Sequence, residues 1–248
     1  MANTFTPQDA INMATALNHK APNSTMAIYA CHIVNSFIWT AYPWNWTKQA
    51  LTQITLVDGQ QDYSLGGSDL TSFYRFVNLE IQDTSVSPTV SRFLHQKNHL
   101  SIELVTKGGI NSIRAYSWEG TINKIRLELS AAVPSGTTLV LNGEFQKQPT
   151  TITGSNLSTA FTMPDHYFQV FIEGLRWKFY ELTDDPRAGN TQFARNRAVN
   201  TGQKATFMDA FEAMKEAEDF SDGEDVIFPS GGTLGVGRDS NYSPRIFG

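Results

Sequence analysis

Charge is scarce in this chain. Only 17% of its 248 residues are Asp, Glu, Lys or Arg, against about 25% in ordinary soluble domains. The 19 Lys and Arg are outnumbered by 24 Asp and Glu, giving a net charge of −5. That balance excludes a protein that grips nucleic acid by charge, which needs a basic face. Cysteine is nearly missing. A single Cys31 excludes an internal disulfide and a Cys-rich zinc site. No long apolar run is present. The most apolar stretch, Met26 to Trp46, is broken by His32, Asn35, Ser36, Pro43 and Asn45. Its unbroken helical part ends near Ala41, short of the ~20 residues a membrane span needs. A buried helix and no membrane association are expected. The opening Met-Ala-Asn-Thr-Phe-Thr has no basic segment followed by an apolar one. No secretory signal is therefore expected, and the expected compartment is the cytoplasm. The Asn-x-Ser/Thr triplets at Asn23, Asn45 and Asn156 mean little without secretion.

What is present is apolar mass. Hydrophobic residues make up 40% of the chain and aromatics 12%, too much for wholesale disorder. The length allows a sizeable core in one or two domains. Thr6-Pro7-Gln8-Asp9 reads as a helix start, with a capping hydroxyl, a proline in the first turn and an acid near the positive helix end. Ile11, Ala14 and Leu17 then form a short stripe, and Ala21-Pro22-Asn23 breaks it. A second helix is expected from Asn23 or Ser24, with Met26, Tyr29, Ile33 and Phe37 as its apolar stripe, widened by Val34 and Ile38. It should stop at Tyr42-Pro43.

From about Gln49 to Ile152 the period becomes two. Thr52 to Leu56, Val77-Leu79-Ile81, Ser101 to Val105, Ile125-Leu127-Leu129 and Leu139-Leu141-Phe145 alternate with polar residues. Alternation between turn signals predicts an antiparallel sheet or sandwich. The Pro134-Ser135-Gly136 turn predicts that the Ile125 and Leu139 strands form a hairpin. Met163-Pro164-Asp165 starts another helix, with Phe168, Ile172, Leu175, Phe179 and Leu182 on one face, ending at Asp184-Asp185-Pro186. A long last helix is expected from about Arg187 to Phe220, weakened at Gly189 and Gly202. Ser221 to Gly248 is rich in glycine, with isolated apolar residues that include Phe228, Leu234, Val236, Tyr242, Ile246 and Phe247. Such a segment builds no core alone and is read as a tail, or as an arm that lies on another surface.

The fold class expected is α+β. It combines a helical bundle from both chain ends, an inserted antiparallel β-rich, sandwich-like domain, and an extended C-terminal arm. The divisions fall at residues 1–48, 49–160, 161–220 and 221–248.

Few residues suggest chemistry. His95 and His99 are four apart, but their flanks are strand-like and no acid follows the first, so loop histidines are favoured over a metal site. Cys31-His32 are adjacent on a helix and point apart, so a structural thiol is favoured over a nucleophile. The Gly231 to Gly237 run lacks the Lys-Ser/Thr of a phosphate loop. Asp222-Gly223-Glu224-Asp225 lacks calcium-loop spacing. Asp184-Asp185 reads as a turn with Asp185 as cap. Arg176, Lys178, Arg187, Arg195, Arg197 and Lys204 are offset by Asp209, Glu212, Glu216, Glu218 and Asp219, so a subunit contact or solvated face is favoured over DNA binding. The densest aromatic cluster is Trp39, Tyr42, Trp44 and Trp46. It sits where helical and strand periods meet and is read as junction packing; the alternative is an exposed carbohydrate platform on a β-sandwich. No catalytic residue, metal or cofactor is expected.

The junction Tyr42-Pro43-Trp44-Asn45-Trp46-Thr47, followed by Leu51-Thr52 and Gly59-Gln60-Gln61-Asp62-Tyr63-Ser64-Leu65, resembles a known family. So do Phe73-Tyr74-Arg75, Met163-Pro164-Asp165-His166-Tyr167 and Asp185-Pro186. In order and spacing they are similar to the adaptor, or head-to-tail connector, proteins of tailed bacteriophages, also called tail tubular protein A or gateway proteins. The resemblance covers about Thr6 to Phe220. It implies a helical bundle with an inserted β-domain and a homo-oligomeric ring, usually of twelve copies, beneath the portal protein. It also implies a C-terminal segment docked on the portal, a β-domain facing the tail nozzle or next tail component, and a virion location at the head–tail interface. No catalytic residues are implied, and DNA passes through the ring without specific binding. The segment after Ser221 runs beyond the point where the simplest family members end. Twelve copies at −5 would carry about −60, which weakly repels DNA.

Overall fold

The computed structural model describes residues 3–18, 22–98, 102, 107–109, 111–194 and 197–221. It is α+β, with five α-helices and antiparallel-rich sheets among those residues. The first helix, α1 (Pro7–Leu17), starts with a reciprocal cap. Thr6 Oγ1 accepts from the Asp9 amide at 3.2 Å, and the Asp9 carboxylate accepts from the Thr6 amide at 3.0 Å. Two orphan amide donors are thereby satisfied at once. The second, α2 (Ser24–Ala41), is capped by Asn23 Oδ1 on the Met26 amide and ends before Pro43, as expected.

The chain then forms β1 (Lys48–Ala50), β2 (Ile54–Thr55), β3 (Asp62–Tyr63), the short helix α3 (Gly67–Ser72) and β4 (Phe73–Asp83). It continues with β5 (Val90–Phe93), β6 (His95–Gln96), β7 (Ala115–Glu119), β8 (Lys124–Leu127) and β9 (Leu139–Lys147). After these come α4 (Phe168–Leu182), β10 (Thr191–Ala194), β11 (Arg197–Asn200) and α5 (Gly202–Ser221).

The helices share one core. Ala10, Ala14, Ala27, Ala30, Val34, Phe168, Phe171, Leu175, Phe207 and Phe211 belong to it. Small residues set the helix spacing. At Gly174 an added Cβ would lie 2.8 Å from Phe207 and 2.9 Å from Val34, so α2, α4 and α5 meet over a bare backbone. The same need corrects the stripe expected on α2. Ala27, Ala30, Cys31, Val34 and Ile38 face the core, while Met26, Tyr29 and Phe37 are exposed. Weighting by side-chain size selected the wrong side, because close approach here depends on small residues. Only Val34 and Ile38 of the expected stripe are fully buried.

Strands β1 to β9 make two sheets. One is ordered β1-β9-β4-β5, with β2 also on β9; the other is β3-β8-β7-β6, in which only the β6–β7 pair is parallel. Alternate residues of both face a second core. Leu79, Ile81, Leu141 and Phe145 come from the first sheet, and Tyr63, Tyr116, Ile125 and Leu127 from the second. The expected Ile125–Leu139 hairpin does not form. β8 pairs with β3 and β7, and β9 with β1, β2 and β4. The turn at Pro134 carries the chain from one sheet to the other, and Ala131 is held on the way by a hydrogen bond from the Gly59 amide to its carbonyl at 2.8 Å. Neither the alternation nor the turn encodes which strand becomes the partner. The strand expected at Ser101 to Val105 falls, except for Ile102, outside the described residues.

The long last helix is also corrected. A 3-10 turn at Pro186–Ala188 is followed by the β10–β11 hairpin, and only then by α5. Gly189 (φ 73°) and Gly202 (φ 58°) hold left-handed conformations at the hairpin base. An added Cβ on Gly189 would meet the Thr201 carbonyl at 1.8 Å. The two glycines that weaken a helical reading are the hairpin's hinges.

Candidate functional site

α2 meets the sheets along a polar stripe set inside an otherwise apolar helix. His32, Asn35 and Trp39 follow at steps of three and four and so share one helix face. Each is hydrogen-bonded to the chain leaving β9. Trp39 Nε1 donates to the Lys147 carbonyl at 2.6 Å and Asn35 Nδ2 to the Thr150 carbonyl at 3.1 Å, while His32 Nδ1 accepts from the Ile152 amide at 3.4 Å. The helix thus holds residues 147–152 as an extended strap.

The carboxyl end of α2 is closed from outside the helix. Its last carbonyls have no intrahelical donors. Trp44 Nε1 donates to the Ile38 carbonyl at 2.6 Å. Gln146 on β9, fully buried, donates through Nε2 to the Trp39 carbonyl at 2.5 Å and the Tyr42 carbonyl at 2.9 Å. Its Oε1 accepts from Arg75 Nε on β4 at 2.7 Å. One side chain of a sheet therefore caps a helix and ties it to a second strand.

Around this point the aromatic residues pack edge on face. Trp39 and Trp46 are T-shaped at 5.1 Å, Tyr42 and Trp44 lie 4.7 Å apart, and Trp44 meets Phe211 edge-on at 5.8 Å. Trp39 and Trp44 are buried; Tyr42 and Trp46 are half-buried against the helical core. The buried Glu218 of α5 completes the seam. It accepts from the Asn45 amide at 2.7 Å and from the Tyr167 hydroxyl at 3.0 Å. Burial, and then the Glu218 carboxylate, push the Tyr167 phenol up to about 12.

The remaining candidates separate from this seam. Cys31 is buried, and desolvation pushes its thiol up to about 12, so no thiolate nucleophile is available at neutral pH. His95 lies exposed on β6, and His99 is outside the described residues. Among the described residues no group of three or more His, Cys, Asp or Glu is placed to hold a metal. Asp185 accepts from the Arg187 amide and side chain, a cap and an ion pair at once, while Asp184 occupies the left-handed turn at φ 53°. Both line an open cleft of about 510 Å³ together with Tyr180, Glu181, Asn190 and Thr201. Arg176 pairs with Glu173 and Lys178 with Glu181, so these two cations are locally matched, while Lys204 donates to the neutral Thr191 hydroxyl. Arg195, the Asp222 to Asp225 cluster, the Gly231 to Gly237 run and the arm residues Phe228, Leu234, Val236, Tyr242, Ile246 and Phe247 lie outside the described residues.

Sequence reasoning missed Gln146, Glu218 and Asp165. The Asp165 carboxylate accepts from the Thr4 amide and hydroxyl, fixing the start of the chain to the start of α4. No local pattern marks Gln146 or Glu218, and the helix-start signal at Asp165 does not reveal its bonds to Thr4; the partners of the three lie between 51 and 173 positions away. The polar triplet His32, Asn35 and Trp39 was detectable as a helix-spaced stripe within an apolar run. No helix among the described residues is long and apolar enough to cross a membrane. The chain matches no protein-family model and no curated protein.

Proposed function

We propose that this chain is a structural subunit of a tailed-bacteriophage particle, an adaptor that joins the portal to the tail in a ring around the DNA channel. The observation that carries this reading is the organisation about α4. Helices before residue 42 and after residue 167 share a single core, with the strands placed between them in sequence. Helices from both chain ends thus form one bundle into which a sandwich-like β-rich domain is inserted, the arrangement that the Tyr42 to Thr47 junction motif implies. The seam at Gln146 and Trp39 suits a part that transmits load between two layers, because it is built of buried, directional hydrogen bonds rather than of a ligand cavity.

In this reading the subunit is not an enzyme and takes no cofactor. It forms a homo-oligomer of about twelve copies by the resemblance, docks on the portal through its C-terminal arm, and meets the tail nozzle or next tail component through its β-domain. DNA passes without specific binding, which agrees with a net charge of −5 per copy. The carbohydrate reading is disfavoured, since a stacking platform needs exposed ring faces and Trp39 and Trp44 have none.

Cryo-electron microscopy of virions that carry this chain should find it as a ring directly below the portal. Its absence from purified virions ends the proposal. Deletion of Asp239 to Gly248 should leave the circular dichroism spectrum unchanged and weaken portal binding. Unchanged portal binding would remove the arm's role.

A further inference from the structure

α2 has two apolar faces, and the described residues cover only one of them. Ala27, Ala30, Val34 and Ile38 belong to the helical core. Met26, Tyr29, Ile33 and Phe37 follow at steps of three, four and four, so they line a second face. Met26 is 44% exposed, Tyr29 58% and Phe37 37%, while Ile33 is half-buried. This is the stripe whose spacing marks it as core in the sequence, yet the folded helices leave it bare.

Charge narrows what can cover it. α2 holds no Asp, Glu, Lys or Arg. An occupant that brought an ion to this stripe would desolvate it with no counter-charge on the helix. The fitting occupant is therefore uncharged over the stripe, whose ends at Met26 and Phe37 lie about 17 Å apart along the helix.

The chain supplies such a segment where α5 ends. The rings of Phe207 and Phe211 on α5 lie 5.6 and 5.4 Å from that of Phe37. Two turns further on, Glu218 is bonded to the Asn45 amide at 2.7 Å. α5 thus runs beside the last turns of α2 and ends just past them, so residues 222–248 start near the Phe37 end of the stripe. Their sequence is acidic from Asp222 to Asp225 and then carries no charge from Val226 to Gly237. The uncharged stretch holds Val226, Ile227, Phe228, Leu234 and Val236. Length permits the return. From Ser221 back to the level of Phe37 is about 15 Å, and the stripe adds about 17 Å. Fully extended, the four acidic-stretch residues span about 13 Å and the twelve uncharged ones about 40 Å.

We infer that Val226 to Gly237 lies along the exposed stripe of α2 in its own copy, with Phe228 and Leu234 as apolar anchors over Tyr29, Ile33 and Phe37. Asp239 to Gly248 then extends beyond the stripe and stays available to the portal. The contact is made within one chain, so it stands or falls apart from the ring reading.

The test uses the full-length chain with a nitroxide attached at Ser230→Cys, between the two anchors. The native Cys31 is buried and does not take the label. Methyl spectra of the same molecule should lose the Met26 and Ile33 signals, and reduction of the nitroxide should return them. Phe228→Ser with Leu234→Ser should restore both signals with the label still in place. Tyr29→Lys, at the most exposed point of the stripe, should do the same with an unchanged circular dichroism spectrum. Signals that stay lost in both variants refute the anchors. A second sample mixes nitroxide-bearing chains that carry no methyl label with methyl-labelled chains that carry no nitroxide. Loss of the Met26 and Ile33 signals in that mixture makes a second copy the occupant and overturns the inference. Full signals in the singly modified chain overturn it as well, whether or not the protein forms rings.

Discussion

Replacing Gln146 by Leu tests whether the helix–sheet seam is held by directional bonds or merely by burial. Gln146 is fully buried and similar to leucine in size, so the substitution keeps the volume and removes the polar contacts. The Trp39 carbonyl, at the end of α2, loses its Gln146 donor. The Tyr42 carbonyl keeps its bond from the Trp44 amide at 3.0 Å, and the exposed Arg75 can turn to water. One carbonyl is therefore orphaned outright and a second is weakened. An orphaned buried group costs about 1–3 kcal/mol, so a total of about 3 kcal/mol is expected. For a chain of this length that lowers the melting midpoint by roughly 6–12 °C. Three of the five tryptophans, Trp39, Trp44 and Trp46, lie at the seam, so their fluorescence reports on it directly. Thermal melts followed by tryptophan emission and far-ultraviolet circular dichroism supply the measurement. Gln60→Leu is the control. Gln60 is exposed, and its bond to the Asp62 carbonyl should be worth less than about 0.5 kcal/mol. If Gln146→Leu melts within 2 °C of the parent, the seam is held by packing alone and the capping argument is wrong.

Gly174→Ala should destabilise the chain by about 1–2 kcal/mol, because overpacking against Phe207 and Val34 outweighs the gain in helix propensity. Adding Phe207→Leu should recover part of that loss, and additive costs in a double-mutant cycle would reject the proposed contact. Tyr167→Phe should cost about 1.5–3 kcal/mol in chemical denaturation through its bond to Glu218. Absorbance at 295 nm should show the Tyr116 and Tyr167 phenols, both pushed to about 12, still protonated at pH 11 in the folded chain. Folded-state values above the unfolded one mean that this stabilisation is full below about pH 10 and fades as pH rises further. Asp62 behaves oppositely. The Arg126 side chain beside it lowers its carboxyl, so its contribution is present above the ordinary carboxylate range and is lost as pH falls through the lowered value. Asp62→Asn should flatten the acid limb of the stability profile by less than about 1 kcal/mol, since the pair is partly exposed. Cys31 should resist aromatic disulfide reagents at pH 8 until denaturant is added.

The sequence made elements legible where a local signal was strong. Thr6-Pro7, Asn23 and Pro43 mark helix ends through backbone rules that act within four residues, and the folded chain uses them as read. The alternating apolar residues of β4, β8 and β9 did point to a core. What stayed hidden was pairing. Ile125 and Leu139 are joined by a turn yet belong to different sheets, because strand partners are chosen by side-chain fit across both sheets. The stripe on α2 was misread for a related reason. Ala27, Ala30 and Cys31 have little hydrophobic weight alone and matter only through the close-packed core they share with the other helices. The seam was half legible. Its tryptophans stand out in the sequence, while Gln146 and Glu218 gain their roles only from contacts made across the folded chain.

The shared helical core sets an order of events during synthesis. The partners of α2 in α4 begin about 125 residues downstream of its end. At the ~5–20 residues per second of translation, α2 waits roughly 6–25 s for them. Strands β1 to β9 have emerged by then and hold a core of their own. α2 spends the interval with α1 present but without its partners in α4 and α5, and it carries no Asp, Glu, Lys or Arg. A chain released before Phe168 should therefore bind a hydrophobic dye and aggregate, whereas the full chain should not. The scarcity of charge suited to a covered surface becomes, on the ribosome, the interval in which this protein most needs a chaperone.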